Sequence, residues 1–158
     1  MSRFLSFFAL LVCCLIFSSC SKNPVVLELA TLDSTIISTL KGLNLSEVNT
    51  KISSAKTNRE KGAVMGALAK DIEERLNTLT AFQPKTPEVK QLSEDMTSAL
   101  KMMAEGAKNA EQAINKEDAA KLNSANMTFT SGQNKLKLSS MQFNKVAKDN
   151  DYKSIPAK

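Results

Sequence analysis

The most reactive side chains in this sequence are three cysteines, Cys13, Cys14 and Cys20, in a chain with no histidine. Without histidine there is no Ser-His-Asp triad, no Cys-His pair and no imidazole ligand for a metal. The Glu-x-x-His element of carboxylate di-iron bundles is missing for the same reason. Serines and lysines are plentiful, but no spacing selects a hydrolytic pair and no oxyanion-donor loop accompanies one. Acids cluster at Asp71, Glu73 and Glu74 and again at Glu117 and Asp118. Paired carboxylates can trade protons or hold calcium. Adjacent helical residues, however, point about 100° apart, so Glu73 and Glu74 form no facing pair. Glu117 and Asp118 fall at a helix start, where anions are favoured structurally, and no calcium-loop spacing is present. Met96, Met102 and Met103 carry thioethers that suit copper(I). Met96 and Met103 lie on an apolar helical stripe, which packing explains, while Met102 lies off it. These residue types lead us to expect a non-enzymatic chain with no metal and no cofactor.

The cysteines belong to the amino-terminal segment. Met1-Ser2-Arg3 is short and basic, residues 4–17 are apolar except for Ser6, and polarity returns after Ser18-Ser19-Cys20. A basic start, an apolar run and small residues before a cut describe a secretory signal peptide. The run of 14 residues falls short of the roughly 20 needed to span a bilayer. Phe17-Ser18-Ser19-Cys20 resembles the lipobox of bacterial lipoproteins, with Phe17 standing where that family commonly has an aliphatic residue. The resemblance implies cleavage before Cys20 and a diacylglycerol on its sulfur, often with an acyl chain such as palmitate on the new amino group. It also implies that Ser21 directs sorting to an outer membrane, since Asp at that position commonly retains such proteins at the inner one. Cys20 would be the one cysteine left, so no internal disulfide is expected although the compartment permits one. Two or three acyl chains anchor firmly, each buried CH2 contributing about 0.8 kcal/mol. The domain organisation expected is a lipoprotein signal peptide at 1–19, a lipidated start and spacer at 20–23, a helical domain at 24–148 and a flexible polar tail at 149–158.

The remaining 139 residues suit one domain. They contain no Trp, and their aromatics are Phe82, Phe129, Phe143 and Tyr152, so Leu, Ile, Val, Met and Ala must build the core. Helix breakers are sparse and well placed. A first, shorter helix is expected over 24–41, with Asn23 as cap, Pro24 at the first turn, and Gly42 closing it. Its apolar face carries Val25, Leu29, Leu32, Ile36 and Leu40. A second helix is expected from after Ser46 to near Phe82, kinked in the polar stretch 56–61 and stopped by Pro84. The third follows Thr86-Pro87-Glu88, with Thr86 as cap and a stripe through Val89, Leu92, Met96, Leu100, Met103, Ala107, Ala110 and Ile114. The fourth follows a capping box in Asn115-Lys116-Glu117-Asp118, with Leu122, Ala125, Phe129, Gly132, Leu136, Ser140 and Phe143 on one face. No strand pattern competes. The fold class expected is all-α, a small antiparallel helical bundle of three long helices and one shorter amino-terminal one.

Charge narrows the partners. Residues 119–148 hold five lysines and no acid, whereas 87–118 hold seven acids and four lysines. The plain reading is that the last two helices complement each other. The sharper one is that the last helix offers a basic stripe to an anionic lipid surface or envelope polymer. From Cys20 onward the net charge is only +4, which does not point to nucleic acid. Gly62-Ala63-Val64-Met65-Gly66 has the small-xxx-small spacing of closely packed helices, within the bundle or between copies. The function expected is a lipid-anchored envelope lipoprotein, outer-membrane and periplasm-facing, acting as a helical binding or scaffolding module. Its partners would be membrane lipid through Cys20 and another envelope protein, itself or an anionic polymer. Two alternatives stand beside this: a small-ligand carrier whose inward Ala55, Gly62, Gly66, Ala125 and Gly132 leave a cavity, and an inhibitor or immunity-type lipoprotein.

Overall fold

The computed structural model describes residues 23–153. The signal-peptide and lipidation assignments at 1–19 and Cys20 lie outside the described residues, as does the end of the expected tail, 154–158. The described residues form five helices in order: α1 Pro24–Leu40, α2 Leu45–Ser54, α3 Asn58–Ala81, α4 Pro87–Asn115 and α5 Ala119–Asp149. No strand occurs among the described residues, so the fold is an all-α helical bundle.

α1 begins as its sequence dictates. The Asn23 side chain accepts from the Val25 amide at 3.0 Å, and Pro24 occupies the first turn where its missing N–H costs nothing. The helix stops at Gly42, whose φ of 82° only glycine adopts freely. Arg75 of α3 then collects the orphan carbonyls of the end, donating to the Thr39 and Lys41 oxygens while its Nε holds Asp71 at 2.8 Å. The other end of α1 is tied by Glu28. Its carboxylate accepts from the amides of Lys85 and Thr86, both at 2.9 Å, and from the Thr86 hydroxyl at 2.6 Å. Thr86 therefore makes no side-chain cap on α4, contrary to the sequence expectation. Its hydroxyl donates instead to the Glu28 carboxylate, a charge-assisted bond that joins α1 to the start of α4.

The single kinked helix expected over 46–82 is two helices. α2 is capped by Asn44, which accepts from Glu47, not by Ser46. α3 starts afresh at Thr57, whose hydroxyl accepts from the Glu60 amide while the Glu60 carboxylate accepts from the Thr57 amide. That reciprocal box satisfies two orphan donors and makes a new helix start more favourable than a kink.

α4 is the centre of the molecule, packed between α3 and α5 and touched by α1. Twelve of its residues are buried, among them Met96, Ala99, Met103, Gly106 and Ala110. This is wider than one stripe because α4 has neighbours on two sides. Its contacts with α5 run in opposite sequence directions: Asp95 meets Lys135, Ala99 meets Gly132, and Gly106 meets Phe129. Leu29, Leu32, Ile72, Leu79 and Phe143 from the other helices join its own Val89 and Leu100 in the core. On α5 the buried serine is Ser139 at 1 % exposure, not Ser140, and its hydroxyl donates to the Lys135 carbonyl at 2.9 Å. The polypeptide remains packed as far as Tyr152, within the segment expected to be a loose tail. The Tyr152 hydroxyl donates to Asp33 at 2.9 Å and its ring meets Phe143 edge-on at 6.3 Å.

Candidate functional site

Two surface features emerge from this architecture, one at the amino-terminal end of α5 and one along its outward face. The first is built on the α4–α5 turn. Glu117 takes a left-handed φ of 55°, which residues with a side chain rarely adopt, and the turn is held by its amide donating to the Ile114 carbonyl and that of Asp118 to the Ala113 carbonyl. Asp118 caps α5 by accepting from the Lys121 amide at 3.0 Å. That bond, with the Lys121 ammonium beside it, holds the Asp118 carboxyl below the usual range. Asn58, the first residue of α3, donates to the Glu117 carboxylate at 3.1 Å across 59 residues of sequence. Between the turn, α2 and the start of α3 lies an open groove of about 540 Å³. Ile52, Met65, Ala110, Ile114 and Leu122 give it an apolar floor, and Asn58, Lys61, Glu117, Asp118 and Asn126 a polar rim. A smaller hollow of about 430 Å³ lies between α2 and α3, with Val48, Ala63 and Leu68 among its walls. α2 has no fully buried residue, yet Leu45, Val48 and Ile52 pack on the core, so it is a narrow wall between two hollows.

The second feature is the outward face of α5. Of the four large apolar side chains that stand exposed among the described residues, three are here: Met127 at 65 %, Leu138 at 59 % and Met141 at 60 %. Lys135 reaches Asp95 at 3.4 Å and the Ser98 hydroxyl at 3.0 Å, and Lys121 reaches Asp118 in its own cap. Complementarity between the last two helices is thus carried by Lys135, while Lys137, Lys145 and Lys148 form no ion pair among the described residues.

Comparison with protein-family models, curated proteins and solved structures gave no match.

The other sequence candidates take structural places. Asp71 is engaged by Arg75, Glu74 lies 3.8 Å from Lys70, and Glu73 is exposed. No group of three or more acids, cysteines or histidines is arranged to hold a metal among the described residues. Met96 and Met103 are core, and Met102 is half-buried. Gly62 and Gly66 seat α3 against Asn115 and Glu111 of α4, so their spacing serves packing inside the bundle. Gly132 does the same for α5, where a side-chain carbon would stand 2.8 Å from the Ala99 carbonyl. Ala125 is buried and Ala55 caps the end of α2. Three contacts had not been expected from the sequence: the Gly106–Phe129 approach, the Asn58–Glu117 link and the Tyr152–Asp33 bond. Only the first left a signal, as the spacing Ala99, Gly106, Ala110, Ala113 of small residues along one helix.

Proposed function

We propose that this chain is an envelope lipoprotein anchored through acylated Cys20, and that its bundle is a non-enzymatic binding or scaffolding module. The observation that carries the reading is the placement of Cys20. It follows a signal-like segment, stands as the only cysteine beyond it, and lies three residues before the cap of α1. Asn23 donates to Asn150 at 3.1 Å, so the start of α1 and the end of α5 share one end of the bundle. The groove at the α4–α5 turn stands at the other end of α5, whose 31 residues extend about 46 Å. A surface with an apolar floor and a hydrogen-bonded rim is suited to an envelope protein partner. A small apolar ligand is the second reading, favoured by a groove volume in the range of ligand sites.

Two experiments test this. Cys20→Ser should release the protein from membranes or leave it uncleaved; normal processing with retained membrane binding would contradict the anchor. A photoreactive residue at Asn126, on the rim, should yield one discrete crosslinked protein, whereas the same residue at exposed Thr78 on α3 should not. Equal labelling from both positions would contradict a binding role for the groove.

A further inference from the structure

Lys137, Met141, Lys145 and Lys148 recur at steps of four, four and three, so they form one ridge along the carboxy-terminal half of α5, with Leu138 beside it. Leu138 and Met141 are more than half exposed, and Lys137, Lys145 and Lys148 form no ion pair among the described residues. Apolar side chains flanked by free lysines are the composition of a helix face that rests in a lipid headgroup layer. The length of chain outside the structure says which surface this face meets. If Cys20 is acylated, only Ser21 and Lys22 separate it from Asn23, a reach of about 11 Å over three fully extended steps. Asn23 is hydrogen-bonded to Asn150, two residues beyond Lys148. The ridge therefore begins where the anchor ends. From Lys137 to Lys153 four lysines face two acids, Asp149 and Asp151, both at the extreme end.

We infer that the carboxy-terminal half of α5 lies against the anionic lipid headgroups of the membrane that holds the anchor. The inference rests on the Cys20 reading and adds an orientation to it: the bundle lies down along α5 instead of standing on its tether. Membrane anionic lipid draws each adjacent lysine by about fivefold in the docking equilibrium, so the three together contribute about a hundredfold.

The chain has no tryptophan, which gives a clean probe. The lipidated protein carrying Leu138→Trp is reconstituted into vesicles of phosphatidylcholine with phosphatidylglycerol, part of it with brominated acyl chains. Quenching should be several times stronger than for Thr78→Trp, and Lys137→Gln with Lys145→Gln and Lys148→Gln should abolish the difference. Equal quenching at the two positions, or quenching untouched by the lysine replacements, would overturn the inference. So would a blue shift on pure phosphatidylcholine that grows with protein density, because a second copy would then cover the face. Flotation separates the two claims: a chain that floats without selective quenching is anchored but not docked, and one that does not float refutes the anchor and the docking with it. Met141→Trp repeats the measurement should Leu138→Trp lose its helical circular dichroism.

Discussion

Tyr152 is the one tyrosine in a chain without tryptophan, so its ionisation can be followed alone. Burial, then the hydrogen bond to Asp33 and its charge, push the phenol up to about 12. An unfolded tyrosine titrates near 10. The fold therefore favours the protonated phenol, and this stabilisation is complete below about pH 10 and lost as pH rises towards 12. Ultraviolet titration should give a midpoint well above 10 in the folded protein. Asp33→Asn should lower it without restoring the ordinary value, because burial is the larger cause. A midpoint near 10 in the folded protein would contradict the docking of Tyr152. Nothing in the sequence announced this contact: the two residues lie 119 positions apart, and a lone tyrosine in a polar tail reads as solvent-facing. Ser139 was hidden for a related reason. A serine can enter a core when its hydroxyl bonds the carbonyl four residues back, and the apolar pattern does not register it. What residue types did reveal was chemistry by exclusion, since the lack of histidine removes whole classes of site.

At the scale of elements, helix contacts are set by where side chains are missing. A side-chain carbon at Gly106 would stand 2.6 Å from the Phe129 backbone nitrogen and 2.8 Å from its Cα, neither of which can move without shifting α5. At Gly66 the carbon would meet only the carboxylate end of Glu111, which can swing away. Gly106→Ala should therefore destabilise the protein by about 1–3 kcal/mol, although alanine is the better helix former. Gly66→Ala should be neutral or stabilising by up to about 1 kcal/mol. Urea unfolding of the two variants decides this, and equal effects would contradict the close α4–α5 contact. Glu28 makes the second test. Partial burial works to raise its carboxyl, but the hydroxyl and amide of Thr86 and the amide of Lys85 together hold it below the ordinary value. Its contribution is present above about pH 4 and fades as the pH falls through the lowered value. Glu28→Ala should cost about 1–2 kcal/mol at neutral pH and much less at pH 3. An equal cost at both would show that the carboxylate does not hold α1 to the α3–α4 turn. Most helix limits were legible because Pro24, Gly42, Pro84 and Pro87 punctuate them. The α2–α3 break was also written in the sequence, as Thr57-Asn58-Arg59-Glu60, but a polar stretch inside a continuing apolar stripe reads equally as a kink. Stripes told which face of a helix is buried when it has one neighbour. They under-read α4, which has neighbours on two sides.

For the molecule as a whole, the all-helical class followed from composition and spacing, whereas the grooves did not. The larger one depends on a turn residue in left-handed conformation and on Asn58 reaching it from a distant helix, and neither has a sequence signature. Among the described residues no helix is long and apolar enough to cross a membrane; the attachment proposed is a lipid on Cys20. That attachment would bring the start of α1, the end of α5 and the lysine ridge to the headgroups, and leave the groove about 46 Å along α5 from the tether. The most direct test is the intact mass of the protein extracted from membranes, with its amino-terminal peptide sequenced. A lipid anchor at Cys20 requires a chain that starts at Cys20 and carries two or three acyl groups. A chain that retains residues 1–19, or starts elsewhere without lipid, would contradict it.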